Sequence, residues 1–218
     1  MLRVPKVLTV LVLTVLAVPA FSAAQDAPKG YIVGLAGAAR TVETDTAYAG
    51  LGAWPLNDRL DIFGEVGRIR NAIGPDLADR LAVIKADIIA SNRAQFGTEF
   101  PVVFEPRVPT WYGFGGLRVR GPSAGKLSTY LEGGAGAARL DPQVHLTVNG
   151  EKLDSEAAVI TGLGEGRQQL EFLAGAGAGA AFQIWKRIRV EGGYRYMRMF
   201  GDAKTNINRV MVGAGWTF

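Results

Sequence analysis

Eight stretches of this chain set large apolar side chains on alternate residues, with glycine, alanine or charge between them. They are residues 30–42, 46–56, 59–72, 110–120, 126–140, 169–185, 187–200 and 207–218. A period of two is the mark of a β-strand whose two faces meet different surroundings. Residues 169–185 show it: Leu170, Phe172, Ala174, Ala176, Ala178, Ala180, Phe182 and Ile184 oppose Glu171, Leu173, Gly175, Gly177, Gly179, Ala181 and Gln183. Glycine makes up 29 of 218 residues, about twice ordinary usage. It falls inside these stretches, so it does not mark linkers.

The connections are sorted by length. "LNDR", "GPSAG" and "WKR", after the second, fourth and sixth stretches, are short and rich in turn residues. Those after the third and fifth are long, and "ETDT" and "DAKT", after the first and seventh, are moderate. All short turns therefore fall at one end of the sheet. An up-and-down barrel in an outer membrane has this asymmetry, with short periplasmic turns and longer external loops. A soluble meander has no reason for it. The first long connection holds an amphipathic helix over residues 75–95, with Pro75 and Asp76 in its first turn and Leu77, Leu81, Ile84 and Ile88 at helical spacing. That helix reads as a cap that buries its stripe locally, or alternatively as an interaction element. The second connection, 141–168, contains "VHLTVNGEKLDS", whose Asn149–Gly150 reads as a hairpin turn.

Residues 1–24 read as a cleaved export signal. Arg3 and Lys6 precede the apolar run 7–18, Pro19 ends it, and "SAA" supplies small residues for cleavage. Twelve apolar residues are too few for a spanning helix, which needs about 20. The mature chain 25–218 reads as one domain. Removing Arg3 and Lys6 lowers the net charge from +4 to +2, too weak a balance for a nucleic-acid footprint. There is no cysteine, so an exported chain of this kind must be held by a large core, by closure of the sheet, or by a bilayer.

Period alone leaves open which face points inward. A lipocalin-like barrel buries the apolar face, whereas a membrane barrel turns it to lipid. Large aromatics sit near strand ends: Tyr31, Trp54, Trp185 and Trp216 at the short-turn end, and Tyr48, Trp111, Tyr196 and Phe200 at the other. Girdles at two interfaces predict this placement. The polar face is charged yet rich in glycine, as a narrow lumen requires if a few long side chains are to fit. "RLDIFGEVG", "KLSTYLEGG" and "RIRVEGG" each start with a basic residue and place Glu65, Glu132 or Glu191 on the polar face. Arg118, Arg189, Arg195 and Arg209 have the parity to neutralise them, and Glu171 is expected to join the cluster. Isolated charges in such a lumen would be costly, so a paired network is predicted. Arg68 has the opposite parity, which suits the outer rim or a bulge.

With the signal, the eight alternating strands, "VEGGYRYMRMF" (190–200) and the closing "VGAGWTF" (212–218), the chain resembles the small bacterial outer-membrane β-barrel proteins, the porin-like, OmpA/OmpX-type eight-stranded barrels. The resemblance implies an all-β, eight-stranded antiparallel up-and-down transmembrane barrel in the bacterial outer membrane, surrounded by lipid. It also implies that Phe218, Trp216, Val212 and Val210 form the terminal signal read by the barrel assembly machinery. The helical insert and an alanine- and glycine-rich lipid face depart from the smallest members.

Signs of catalysis are weak. His145, the one histidine, has Asp141, Glu151, Asp154, Thr147 and Ser155 nearby, at spacings that match no hydrolase arrangement. "GLGEGR" lacks the Lys-Ser/Thr of a phosphate loop. The expectation is a barrel that is not an enzyme and has no cofactor or metal. Its role would be structural or surface-interacting, with the interior plugged by the Glu/Arg network and loops 73–109 and 141–168 offered to an external ligand or partner. The alternatives are a narrow channel for small solutes or ions, a lipid-modifying enzyme, and a soluble lipocalin-like binding barrel.

Overall fold

The computed structural model describes residues 30–96, 102–141, 143–148, 151–152, 169–201 and 204–218. The proposed signal segment, Asn149–Gly150 and "GLGEGR" lie outside them. The elements are β1 (Tyr31–Arg40), β2 (Thr44–Pro55), β3 (Leu60–Ile69), α1 (Pro75–Phe96), β4 (Val102–Arg107), β5 (Thr110–Ala124), β6 (Leu127–Leu140), β7 (Gln143–Val148), β8 (Glu151–Lys152), β9 (Gln169–Gln183), β10 (Ile188–Phe200) and β11 (Asn206–Thr217).

Eight of these strands form a closed antiparallel barrel in the order β1-β2-β3-β5-β6-β9-β10-β11. They match the eight alternating stretches. The seam is the pairing of the first strand with the last, from Tyr31 opposite Thr217 to Arg40 opposite Asn208. Phe218 N–H extends it by donating to Gly30 O at 3.0 Å. Closure matters because it leaves no barrel strand with an unpaired edge. With 13 residues, β10 runs about 43 Å at ~3.3 Å per residue. Tilted by about 40°, a strand of that length crosses an apolar band of ~25 Å with residues to spare.

Two turns differ from expectation. "GPSAG" is not itself the turn. β5 continues to Ala124, with a register shift between Arg120 and Ser123. Gly125, at φ 61°, then turns the chain. Pro122 cannot donate to a ladder, so the irregularity absorbs it, and glycine takes the left-handed position. The connection after β1 is also only residues 41–43, because pairing continues to Arg40 opposite Thr44.

The two long connections meet in a second, three-stranded sheet ordered β4-β7-β8. The pairing of β7 with β8 flanks the expected Asn149–Gly150 turn. β4 was not anticipated: it is short and carries Pro106, which argues against a strand away from a sheet edge. It forms by pairing with β7 from the other connection. The preceding helix, α1, begins with Pro75 and Asp76, and Ala78 N–H donates to Gly74 O at 2.9 Å. Leu81 is buried, and Leu77 and Ala78 pack against the core beside Ala72 and Ile73. Local burial of the stripe thus covers the first two turns. Ile84 is half-buried, Val83 and Ile89 are exposed, and the Ile88 side chain is outside the described set.

The two faces of the wall are reversed relative to a water-soluble barrel. Ile32, Val66, Leu117, Val119, Leu170, Phe172, Val210 and Val212 are exposed on the outside. Glu65, Arg118, Glu132, Glu191, Arg195 and Arg209 are buried inside. A contiguous exposed apolar wall of this extent is what lipid contact requires. None of the described helices is long and apolar enough to cross a membrane, and barrels cross with strands.

Candidate functional site

The lumen holds an alternating chain of acids and bases. Arg189 donates from Nε to Glu191 Oε2 at 3.0 Å. Glu191 lies 3.3 Å from Arg118. Arg118 donates from Nη2 to Glu132 Oε2 at 2.7 Å. Arg195 donates from Nε to Glu132 Oε1 at 2.7 Å and from Nη1 to Glu65 Oε2 at 2.8 Å. Arg209 Nη1 is 2.6 Å from Glu65 Oε1. Two tyrosines join in: Tyr112 O–H donates to Glu65 at 2.7 Å, and Tyr31 accepts from Arg118 at 2.6 Å. Arg209 also contacts the Tyr112 hydroxyl.

Topology explains how residues so far apart in sequence come together. In the closed order, three strands lie between β3 and β10 in either direction, so Glu65 and Arg195 project from opposite walls. An eight-stranded barrel is just narrow enough for side chains to meet across it. Aromatic rings fill the remaining volume. Arg118 lies 3.8 Å from the Tyr130 ring centroid, Arg195 is 4.8 Å from Phe114, and Arg189 is 3.9 Å from Tyr31. Each planar guanidinium therefore meets carboxylates at its edge and a ring at its face. Glycine on the inner wall makes the room. A Cβ at Gly67 would collide with the Tyr112 hydroxyl, and one at Gly193 would lie 2.9 Å from that of Tyr130. The space left among Leu35, Leu51 and the charged groups is about 20 Å³, room for about one water molecule.

Seven of the eight residues expected in the lumen network therefore come together. Glu171 is the exception. It is buried, 4 % exposed, but it pairs with Ala138, whereas Glu132 pairs with Gly177. That register puts Glu171 six residues, about 20 Å of strand, nearer the long-loop end, where it packs over Gly201. A second correction concerns Tyr31, expected in the aromatic girdle. It is 1 % exposed and faces inward, because it shares the parity of Val33 and Leu35. The other expected girdle residues, Trp54, Trp185 and Trp216 at one end and Tyr48, Trp111 and Tyr196 at the other, are exposed on the outer surface. Val210, Val212, Trp216 and Phe218 also face outward, and Phe218 packs on Trp54 with ring centroids 5.3 Å apart.

The sequence reading did not include the ring partners Tyr112, Phe114, Tyr130 and Phe63, or the ion pair of buried Asp61 with Arg120. Parity was the available signal: all six of these residues lie an even number of positions from Glu65, Arg118 or Glu132. Arg68 is on the outer face at the long-loop end, 5.5 Å from the Trp111 ring centroid. His145 is on β7, opposite Glu105 in register, and its side chain is outside the described set. Among the described residues, no group of three or more His, Asp or Glu side chains could hold a metal ion.

No protein-family model and no curated protein matches this chain. Solved structures do. Neisserial surface protein A superposes with a TM-score of 0.56 over 89 % of this chain and 100 % of its own, at 10 % identity. This chain has the fold of the small eight-stranded outer-membrane barrels. A major outer membrane protein from Thermus thermophilus gives 0.51 over 87 % of this chain and 99 % of its own, at 10 % identity. The Yersinia pestis attachment invasion locus protein Ail, in complex with the heparin analogue sucrose octasulfate, gives 0.50 over 89 % and 100 %, at 13 % identity. At such identities the likeness concerns the barrel itself.

Proposed function

We propose that the protein is an exported outer-membrane barrel with a structural and surface-interacting role, whose lumen is plugged by its own charges. One observation carries this reading: the chain Arg189–Glu191–Arg118–Glu132–Arg195–Glu65–Arg209 crosses the barrel and leaves about 20 Å³ of space at its centre. A file of water or a small solute needs a continuous path, and ionic bonds between opposite walls interrupt it. The outward apolar wall, its aromatic borders and the fold shared with outer-membrane proteins support the location. The short-turn end would face the periplasm. The long-loop end, with α1 and the β4-β7-β8 sheet, would face outward and meet a surface partner.

Membrane fractionation after export tests the location, because a chain that stays soluble without detergent overturns it. Planar-bilayer recording tests the plug: the wild-type barrel is expected to show no steady single-channel current. A conducting wild type whose ion selectivity changes with Glu132→Ala supports the channel alternative. Orientation is read by placing a cysteine at Ala86 of α1, in a chain with no other cysteine. A membrane-impermeant maleimide should label it on intact cells.

A further inference from the structure

The arginines of this barrel fall into two populations. Those facing inward are ion-paired: Arg118, Arg189, Arg195 and Arg209 each meet a carboxylate. Facing outward at the long-loop end, exposed and without a carboxylate among the described residues, are Arg40 and Arg198 and, grouped together, Arg68, Arg70 and Arg139. The latter three surround one aromatic residue. Tyr48 stands opposite Arg68, Arg68 opposite Trp111, and Trp111 opposite Arg139, in a single row across β2, β3, β5 and β6. Arg70 follows Arg68 on the same face, where its N–H donates to Thr46 O. Arg68 and Arg139 are thus two strand spacings apart, about 10 Å, with the Trp111 ring between them.

This row is at the depth of the aromatic border, where a bilayer passes from hydrocarbon to headgroups. No outward position on the barrel strands at this end is acidic: Asp45 and Glu171 are on the inward parity, and Asp141, one residue past β6 on the parity of Arg139, is half-buried and forms no ion pair with the three arginines. The strands of the row carry no outward basic residue toward the short-turn end, where Trp54, Ile62, Leu117 and Val119 occupy the outer face. A guanidinium at an interface requires a counter-anion, and its planar fork matches phosphate oxygens.

We propose that Arg68, Arg70 and Arg139, arranged around Trp111, bind the phosphate-bearing headgroup of a lipid in the leaflet at the long-loop end. The proposal rests on the outer-membrane reading above. Once bound, such a lipid neutralises the three cations and fixes the depth and orientation of the barrel in the bilayer.

The test uses the full chain inserted in phosphatidylcholine nanodiscs doped with diphosphoryl lipid A or with the same lipid stripped of its phosphates. Lipid retained on the protein is measured by native mass spectrometry. Wild type should retain the phosphorylated form at least about tenfold better, the scale expected for losing one charge-assisted contact. Arg68→Gln with Arg139→Gln should abolish that preference, whereas Arg59→Gln with Lys126→Gln, at the other end, should preserve it. Equal retention of the two lipids by wild type overturns the proposal, and this comparison does not depend on any variant folding. So does an undiminished preference in an inserted Arg68/Arg139 variant. A wild-type chain that stays out of the nanodiscs in soluble form overturns the membrane reading instead.

Discussion

Arg195 and Arg209 stand directly opposite each other across the β10–β11 ladder, and Glu65, reaching over from β3, binds both. Two like charges opposed on one face of a sheet are destabilising. Here the two carboxylate oxygens are divided between them: Oε2 takes Arg195 and Oε1 takes Arg209. The pairing fastens three strands that are not all neighbours, so the cost of burying these ions is offset by a contact that holds the barrel closed across its width.

Glu65→Gln is therefore expected to destabilise strongly. It keeps the side-chain shape but leaves two buried arginines facing each other without their shared anion. Breaking a buried pair costs about 3–5 kcal/mol. Urea titration of the barrel in detergent, followed by tryptophan fluorescence, measures the change. A loss below about 1 kcal/mol, the scale of an exposed pair, would show that the network is solvated.

Arg195→Lys should be nearly as harmful despite preserving the charge. Arg195 uses Nε and Nη2 on Glu132 and Nη1 on Glu65, a span that one ammonium cannot cover. The expected loss is about 2–3 kcal/mol, the scale of hydrogen bonds to charged groups. Unfolding that matches wild type would show that charge alone suffices at this position.

The glycines offer a paired comparison. At Gly64 nothing lies within 4 Å of an added Cβ, and the site faces outward. Gly64→Ala should be neutral or stabilising by up to about 1 kcal/mol. At Gly67 the added methyl meets the Tyr112 hydroxyl, which itself donates to Glu65. Gly67→Ala should cost about 1–3 kcal/mol. Combining it with Tyr112→Phe, which removes that hydroxyl, should cost less than the sum of the two single changes. Additive costs in the double-mutant cycle would argue that Gly67 acts through something other than Tyr112.

Phe218→Ala separates packing from assembly. In the folded barrel the ring contacts Trp54, worth about 0.5–1.5 kcal/mol beyond its buried area. Refolding of the purified chain into detergent should therefore be only mildly impaired. If the terminal aromatic also serves the assembly machinery, barrel yield in cells should fall far more than stability in vitro, as read by heat-modifiable gel migration. A parallel, small decline in both would restrict Phe218 to a packing role.

Much of this protein follows from alternation alone. The parity of residues 59–72, 110–120, 126–140, 187–200 and 207–218 is enough to put Glu65, Arg118, Glu132, Glu191, Arg195 and Arg209 on one face, because strand side chains alternate without exception unless a bulge intervenes. Applied strictly, the same rule would also have turned Tyr31 inward and placed Phe63, Tyr112, Phe114 and Tyr130 beside the arginines. Proximity to a strand end was the weaker guide.

What parity cannot supply is the coordinate along the barrel axis. That depends on the stagger between neighbouring strands, a property of closure that belongs to no single strand. It decided that Glu132 opposes Arg118 and that Glu171 lies at the mouth. It also set Arg68 and Arg139 on either side of Trp111. The joining of β4 to β7, from two separate loops, is likewise a long-range choice. The sequence alone determined which residues share a side of the wall, because that is local geometry. The tertiary structure decided which residue each one meets, because partners in a closed sheet are set by the register of all eight strands at once.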